Sequence, residues 1–251
     1  MINKVDHFFG KIFNNLHFWG GSFLDKVMNI ISYIAEAGIL FLIIGLVLAL
    51  FKKTRKMGGC ILLSVAIGFL IANIILKPLV GRARPFSNIG SDFYKWWLEA
   101  GAIHESGYSF PSGHTTAATA FAIAIFSTTN KKHFWWILFL PILMACSRIY
   151  LMVHYFTDCI GGLIIGTASA ILAYWIIKWI YSSKLKALIW VRELDLFSTH
   201  QFKNKTRSTQ ISNHKQTESN TSNNEYVYKM QNEESSQQTV DQQTNNSDKH
   251  E

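Results

Sequence analysis

The sequence predicts an all-α protein, a polytopic membrane helix bundle with five spans and an N-terminal amphipathic helix. Two observations support this fold class. Hydrophobic residues make up 49% of the 251 residues, and nearly all of the long apolar runs fall within residues 1–181, whereas residues 200–251 contain almost none. Short clusters of lysine and arginine separate the apolar runs, as in the loops of membrane proteins. A buried helix of a soluble protein can imitate one such run, but five in succession indicate lipid as the solvent.

The first helix is predicted to lie in the membrane interface over residues 1–25. Its apolar side chains recur at helical spacing, but Asp6, His7, Lys11 and two asparagines interrupt the run. These interruptions leave no clean apolar region of the kind that a cleavable signal peptide needs. A sixth span is the alternative interpretation of this segment.

Five apolar runs follow, each near or slightly below the ~20 residues that a helix needs to cross a bilayer. They cover residues 30–51, 60–76, 115–129, 134–150 and 159–181. The third run is the weakest, and we expect its helix to extend back to Pro111. Small residues in the third and fifth runs favour close packing of those two helices. Pro141 lies in the middle of the fourth run and predicts a kink there.

Residues 26–181 therefore form the predicted membrane core. Residues 182–199 carry basic side chains beside a loosely apolar face and are predicted to form a cytoplasmic interfacial helix. Residues 200–251 are rich in Gln, Asn, Ser and Thr. They are predicted to be a disordered polar tail, because they bury too little apolar surface to offset the entropy lost on ordering.

Lysine and arginine in the short loops predict the orientation of the bundle. The loop after the first span reads KKTRK, the loop after the third reads NKKH, and further basic residues follow the fifth span. We expect this side to be cytoplasmic and to include the C-terminal tail. The long loop over residues 86–110 holds one lysine against three acidic residues and is predicted to lie outside. A bacterial cell membrane is the simplest location for such a protein.

The formal net charge of +8 does not indicate a nucleic acid as partner. The basic residues form the loop clusters just described, and neither a zinc-finger spacing nor an RNA-binding aromatic motif occurs. Metal-ligand spacings such as HExxH are absent from the sequence, so we predict neither a metal nor another cofactor.

Three polar segments lie at the outer ends of the predicted spans. They read KPLVGRARP from Lys77, PSGH from Pro111 and SRIYLMVHYFTD from Ser147. The first of them puts three cations on the side that the charge rule leaves poor in cations, which is explained either by snorkelling to lipid headgroups or by an anion site. Because all three segments reach the same face, we expect them to form one pocket.

The residue types in this pocket suit phosphoryl transfer. Arginine and lysine bind phosphate oxygens, and a glycine at a helix start lets backbone N–H groups approach an anion. One histidine can attack phosphorus while a carboxylate orients it, and the other can protonate the leaving oxygen. The candidate residues are Lys77, Arg84, Ser112, Gly113, His114, Arg148, His154 and Asp158.

These segments make the sequence resemble the type 2 phosphatidic acid phosphatase family, which shares its site with the vanadium haloperoxidases. The family pattern is KxxxxxxRP, PSGH and SRxxxxxHxxxD, and this chain meets every fixed letter and every internal spacing. The resemblance implies that His154 is the nucleophile that forms a phosphohistidine, that Asp158 orients it and that His114 is the acid for the leaving group. It also implies a set of phosphate-binding residues, namely Lys77, Arg84, Ser112, Gly113 and Arg148. Arg82 lies between motif letters and inherits no role. It either assists the site electrostatically or lies near lipid headgroups, and we favour the second interpretation.

The predicted function is that of an integral membrane lipid phosphatase that needs no metal. Its candidate substrates are phosphatidic acid, phosphatidylglycerol phosphate and undecaprenyl diphosphate. Some relatives thought to act on undecaprenyl diphosphate carry Asp where this chain has Gly113, which favours a phospholipid without excluding the diphosphate. A phosphotransferase with the same site and a non-catalytic membrane transporter or scaffold are the alternatives. The sequence leaves the oligomeric state open.

Overall fold

The computed structural model describes residues 4–34 and 38–182. The described residues are helical throughout their regular structure and contain no strand, which confirms the predicted all-α class. The main helices are α1 (Lys4–Ile34), α2 (Ile39–Leu50), α3 (Arg55–Phe69), α4 (Asp92–Glu99), α5 (Gly113–Thr128), α6 (Phe139–Tyr150) and α7 (Phe156–Ser182). The predicted tail and all but Ser182 of the predicted cytoplasmic helix lie outside the described residues.

Two segments are long and apolar enough to cross a membrane by length and composition. They are Arg55–Ser87, with a mean hydropathy of 2.5, and Phe156–Ser182, with a mean hydropathy of 2.0. They contain the second and the fifth predicted spans. In the first of them, α3 continues through a π-helical stretch, Leu70–Leu76, into the turn Lys77–Val80. This continuation carries Lys77 to the end of the helix.

The N-terminal part of the fold differs from the prediction in its boundaries. The run 30–51 was expected to be one helix, but α1 ends at Ile34 and α2 begins at Ile39. Gly38 has φ 73°, a left-handed conformation that precedes α2. Within α1, non-helical angles at Gly21 divide the helix into two parts.

Helices α5 and α7 pack closely, as the small residues of the third and fifth runs predicted. A Cβ atom added at Gly166 would lie 2.5 Å from the carbonyl oxygen of Thr116, and one added at Gly162 would lie 2.8 Å from that of Ser112. Side chains at these two positions would therefore push the helices apart. This contact brings the start of α5 and the start of α7 together.

Pro141 does not kink a helix in the way that the sequence predicted. It lies in the first turn of α6, where no intrahelical N–H bond is lost, and the 3₁₀ segment Trp135–Leu138 precedes it. The change in helical geometry in the fourth run therefore comes at Trp135–Leu138.

Candidate active site

The three predicted segments meet at one cavity of about 350 Å³. Five of the eight candidate residues line it, namely Lys77, Arg84, Gly113, His114 and His154. The other three, Ser112, Arg148 and Asp158, are fully buried beside these residues. Asn73, His104, Glu105 and Ser106 also contribute to the cavity wall.

His154 lies between α6 and α7 with its two ring nitrogens in different surroundings. Its Nε2 atom is 3.4 Å from Nη1 of Arg84, and its Nδ1 atom is 3.6 Å from Oδ2 of Asp158. An arginine can only donate, so this geometry assigns the lone pair to Nε2 and the proton to Nδ1. Burial lowers the pKa of His154 to about 3, although Asp158 acts in the opposite direction. The imidazole is therefore neutral at pH 7, with its basic nitrogen beside the cavity.

Asp158 is itself held on both of its oxygens. Its Oδ2 atom accepts from the Ser109 hydroxyl at 2.5 Å and from the backbone N–H of Tyr155 at 2.8 Å. The Ser109 hydroxyl also lies 3.5 Å from Nδ1 of His154, so it bridges the carboxylate and the imidazole. The other oxygen of Asp158, Oδ1, accepts from Arg82 at 2.5 Å. The carboxylate behind the imidazole thus has a fixed orientation.

Arg82 binds within the protein, which favours the electrostatic interpretation over a position at the lipid headgroups. Its guanidinium donates to Asp158, to the Thr157 hydroxyl at 2.7 Å and to Oδ2 of Asp6 at 2.7 Å. It also lies 4.0 Å from the centre of the Tyr155 ring. Its position two residues before Arg84 was the only signal that the sequence offered for this role.

Arg84 and Arg148 share a carboxylate that belongs to none of the three motifs. Glu105 accepts from Nη1 of Arg84 at 2.9 Å and from Nη2 of Arg148. Arg148 is 2% exposed and also donates from Nη1 to the Ser32 hydroxyl. Its Nε has no hydrogen-bond acceptor among the described residues. A buried donor without an acceptor is unusual in proteins and requires an explanation such as a catalytic role or a bound water or ion.

The start of α5 presents backbone to the cavity. The Ser112 hydroxyl accepts from the N–H of Thr115 at 3.4 Å, so it serves as the N-cap of the helix, and Ser112 does not line the cavity. Its own N–H donates to the carbonyl of Asp158 at 3.1 Å. Gly113 follows as the first residue of the helix, and a Cβ atom there would lie 3.0 Å from Oδ1 of Asn73. The N-terminus of a helix beside a glycine favours an anion.

Within residues 4–34 and 38–182, no three His, Cys, Asp or Glu side chains form a group suited to holding a metal ion. Among the described residues, Lys77 and Arg84 bring positive charge to the cavity wall, and Arg148 is buried beside it.

Comparison with protein families matches residues 57–182 to the family model described as the PAP2 superfamily. The chain is 31% identical over 156 residues to phosphatidylglycerophosphatase B of Bacillus subtilis, covering 57% of this chain and 70% of that protein. It is 30% identical over 122 residues to an undecaprenyl-diphosphatase of Sulfolobus acidocaldarius, covering 48% of this chain and 55% of that protein. The chain thus spans little more than half the length of the second relative.

The fold also matches a solved structure. The crystal structure of a transmembrane PAP2-type phosphatidylglycerolphosphate phosphatase from Bacillus subtilis superimposes with a TM-score of 0.53 at 25% identity. The match covers 74% of this chain and 90% of that one.

Proposed function

The chain belongs to the PAP2 superfamily, and from this premise we propose that it is an integral membrane lipid phosphatase. It hydrolyses a phosphomonoester or diphosphate of a lipid through a phosphohistidine intermediate. The observation that carries the proposal is the position of His154, whose Nε2 atom lies beside Arg84 while Asp158 stands behind Nδ1.

Three cations and the start of α5 bind the phosphoryl group. Arg84 and Arg148 offer guanidinium donors that match phosphate oxygens, and Lys77 adds a third positive charge on the cavity wall. Gly113 lets the first N–H groups of α5 approach the same anion. These groups stabilise the charge that develops on the equatorial oxygens in the transition state.

The reaction proceeds in two displacements on phosphorus. The lone pair of His154 Nε2 attacks phosphorus, and the bond to the lipid oxygen breaks as His114 protonates that oxygen. Asp158 stabilises the positive charge that His154 acquires. Water then attacks the phosphohistidine, with His114 taking its proton, and inorganic phosphate leaves together with neutral His154. Phosphatidic acid, phosphatidylglycerol phosphate and undecaprenyl diphosphate remain the candidate substrates.

The experiment uses the full chain purified in detergent with a chelator present. Wild-type protein, His154→Ala and the control His133→Ala are each given phosphatidic acid and undecaprenyl diphosphate, and phosphate release is measured. His133 is exposed and lies in the short helix Lys131–Phe134, outside the site. We expect release by the wild type and by His133→Ala, and none by His154→Ala. Equal activity in all three would exclude His154 as the nucleophile, and loss of activity with chelator would exclude a metal-free reaction.

The five-span topology in a bacterial cell membrane is part of the proposal, with the site on the extracytoplasmic face and the tail in the cytoplasm. The alternation of basic loops supports this orientation. Single cysteines at Ile89, whose side chain is exposed, and at Ser235 in the tail test it with an impermeant thiol reagent on intact cells. Labelling at Ile89→Cys alone is expected, and labelling at Ser235→Cys alone would reverse the proposed orientation in the membrane.

A further inference from the structure

The carboxylate of Glu105 lies among the groups that surround the reacting nitrogen. Its Oε2 atom is 2.9 Å from Nη1 of Arg84 and 3.9 Å from Nε2 of His154, and its Oε1 atom accepts from Arg148. The side chain comes from the long loop before α5, twenty-one residues after Arg84. No letter of the three motifs refers to this position.

The Glu105 carboxylate lies where the phosphoryl group binds in the proposed reaction. A phosphorus atom poised for attack lies roughly 3–3.5 Å from the nucleophile, with its oxygens on the guanidinium groups. A carboxylate offers two oxygens on one carbon to the same two arginines, as phosphate does. We propose that Glu105 is an internal competitor that occupies the phosphoryl position and must leave it before a substrate binds. This inference rests on the proposed function, because that function defines the phosphoryl position.

The loop geometry allows the side chain to leave while its backbone stays in place. Arg84 also donates from Nε to the carbonyl of Gly107 at 3.0 Å and from Nη2 to that of Ser106 at 2.8 Å. These bonds hold the loop on Arg84 whether or not the carboxylate is bound. The Glu105 side chain is 20% exposed, whereas that of Arg148 is 2% exposed, so the carboxylate has access to solvent and the arginine does not.

An internal competitor has a distinctive thermodynamic signature. It weakens the binding of every ligand at the phosphoryl position by the same factor. The reason is that the apparent dissociation constant equals the intrinsic constant divided by the fraction of molecules in which this position is open. The binding of inorganic phosphate, the product, is weakened by the same factor as the binding of the substrate. Return of the Glu105 carboxylate therefore favours product release.

The test compares Glu105→Gln with wild type and with Glu99→Gln, which removes the same charge from α4 outside the cavity. Calorimetry measures the binding of inorganic phosphate and of orthovanadate, and an assay with short-chain phosphatidic acid measures KM. Loss of a charge-assisted pair predicts that all three constants fall together in Glu105→Gln, by about tenfold to a hundredfold. Glu99→Gln should bind as the wild type does.

A dissociation constant or KM that rises or stays unchanged in Glu105→Gln would overturn the inference. Glu105 would then either align the arginines or have no effect on ligand binding. A fall in KM alone, without tighter phosphate and orthovanadate binding, would also overturn it. If Glu105→Gln does not fold, Glu105→Asp makes the same comparison and should show a smaller common factor. Because calorimetry needs no turnover, tighter anion binding would stand even if no lipid were hydrolysed.

Discussion

The buried imidazole of His154 makes a prediction for stability against pH. Its pKa is lowered to about 3 by burial, while in the unfolded chain it has the ordinary value near 6.5. Below pH 6.5 His154 is therefore protonated in the unfolded chain but stays neutral in the folded protein. Protonation stabilises the unfolded chain, so the free energy of unfolding decreases as the pH falls. At pH 5 this loss amounts to about 2 kcal/mol for one group.

The measurement is the apparent Tm of wild type and of His154→Asn in detergent at pH 7.5 and pH 5. Acidification should lower the Tm of the wild type by more than that of the variant, because asparagine does not titrate. Equal decreases in the two proteins would mean that His154 is accessible to protons in the folded state.

Arg82 is predicted to be a positioning residue that acts through Asp158. Replacing it by Gln removes the charge-assisted bond to Oδ1, so the carboxylate behind His154 loses its orientation. We expect kcat to fall about tenfold to a hundredfold, as for other partners that orient a reacting group. KM should stay unchanged, because Arg82 does not line the cavity. Partial recovery of kcat in Arg82→Lys supports this role, whereas a rise in KM would place Arg82 in substrate binding.

For individual residues, the sequence indicated the role where a residue belongs to a motif and gave no indication elsewhere. The structure brings His114 and His154 to one cavity as the motifs predicted. Glu105 and Ser109 carried no such signal, because their contacts depend on how the loop before α5 folds around Arg84. Ser112 belongs to a motif, but the motif does not reveal that its hydroxyl caps α5.

Among the elements, the contact between α5 and α7 determines where the site residues lie. An alanine at Gly166 would place its Cβ atom 2.5 Å from a backbone oxygen and 2.6 Å from Cβ of Thr119. Neither atom belongs to a flexible chain end, so the helices must separate. Such overpacking typically costs about 1–3 kcal/mol.

The expected result for Gly166→Ala is a lower Tm together with reduced activity, because α5 carries Gly113 and His114. Gly59→Ala is the matched control, since its Cβ atom would meet only Ile177 at 3.4 Å, an ordinary contact. Helical alanine is favoured over glycine, so this control should be as stable as wild type or more stable. Equal losses in the two variants would show that the α5–α7 contact tolerates a larger separation.

Hydrophobic runs predicted which parts of the chain are helical better than where each helix ends. The runs 60–76 and 159–181 correspond to segments long enough to cross a membrane. The run 30–51 divides near Gly38 because apolar composition does not reveal a left-handed backbone. Pro141 was assigned to a helix interior because periodicity does not mark a 3₁₀ start.

Across the whole molecule, the N-terminal helix is joined to the site through buried charges. Asp6 of α1 is fully buried, accepts from the N–H of Thr157 at 2.9 Å and pairs with Arg82 at 2.7 Å. Arg82 in turn binds Asp158. A segment that the sequence predicted to be an interfacial helix, or alternatively a sixth span, therefore reaches the carboxylate behind His154.

This connection predicts that Asp6→Asn lowers kcat although Asp6 is remote from the cavity wall. The loss should be smaller than that of Arg82→Gln, because the amide oxygen can still accept from Thr157. Combining the two substitutions should cost little more than Arg82→Gln alone, since both act through one carboxylate and such effects are not additive. The measurement is kcat of the two single variants and of the double variant with a saturating lipid phosphate.

Asp25→Asn separates this effect from general loosening of α1. Asp25 accepts from the Tyr150 hydroxyl at 2.5 Å and lies far along α1 from Asp6. Its loss therefore weakens the docking of α1 without changing the contacts of Asp158. We expect Asp25→Asn to lower the Tm while kcat of the folded protein is retained. If Asp25→Asn lowered kcat as much as Asp6→Asn, or if the losses of Asp6→Asn and Arg82→Gln simply added, then docking of α1 rather than the chain of charges would control the site.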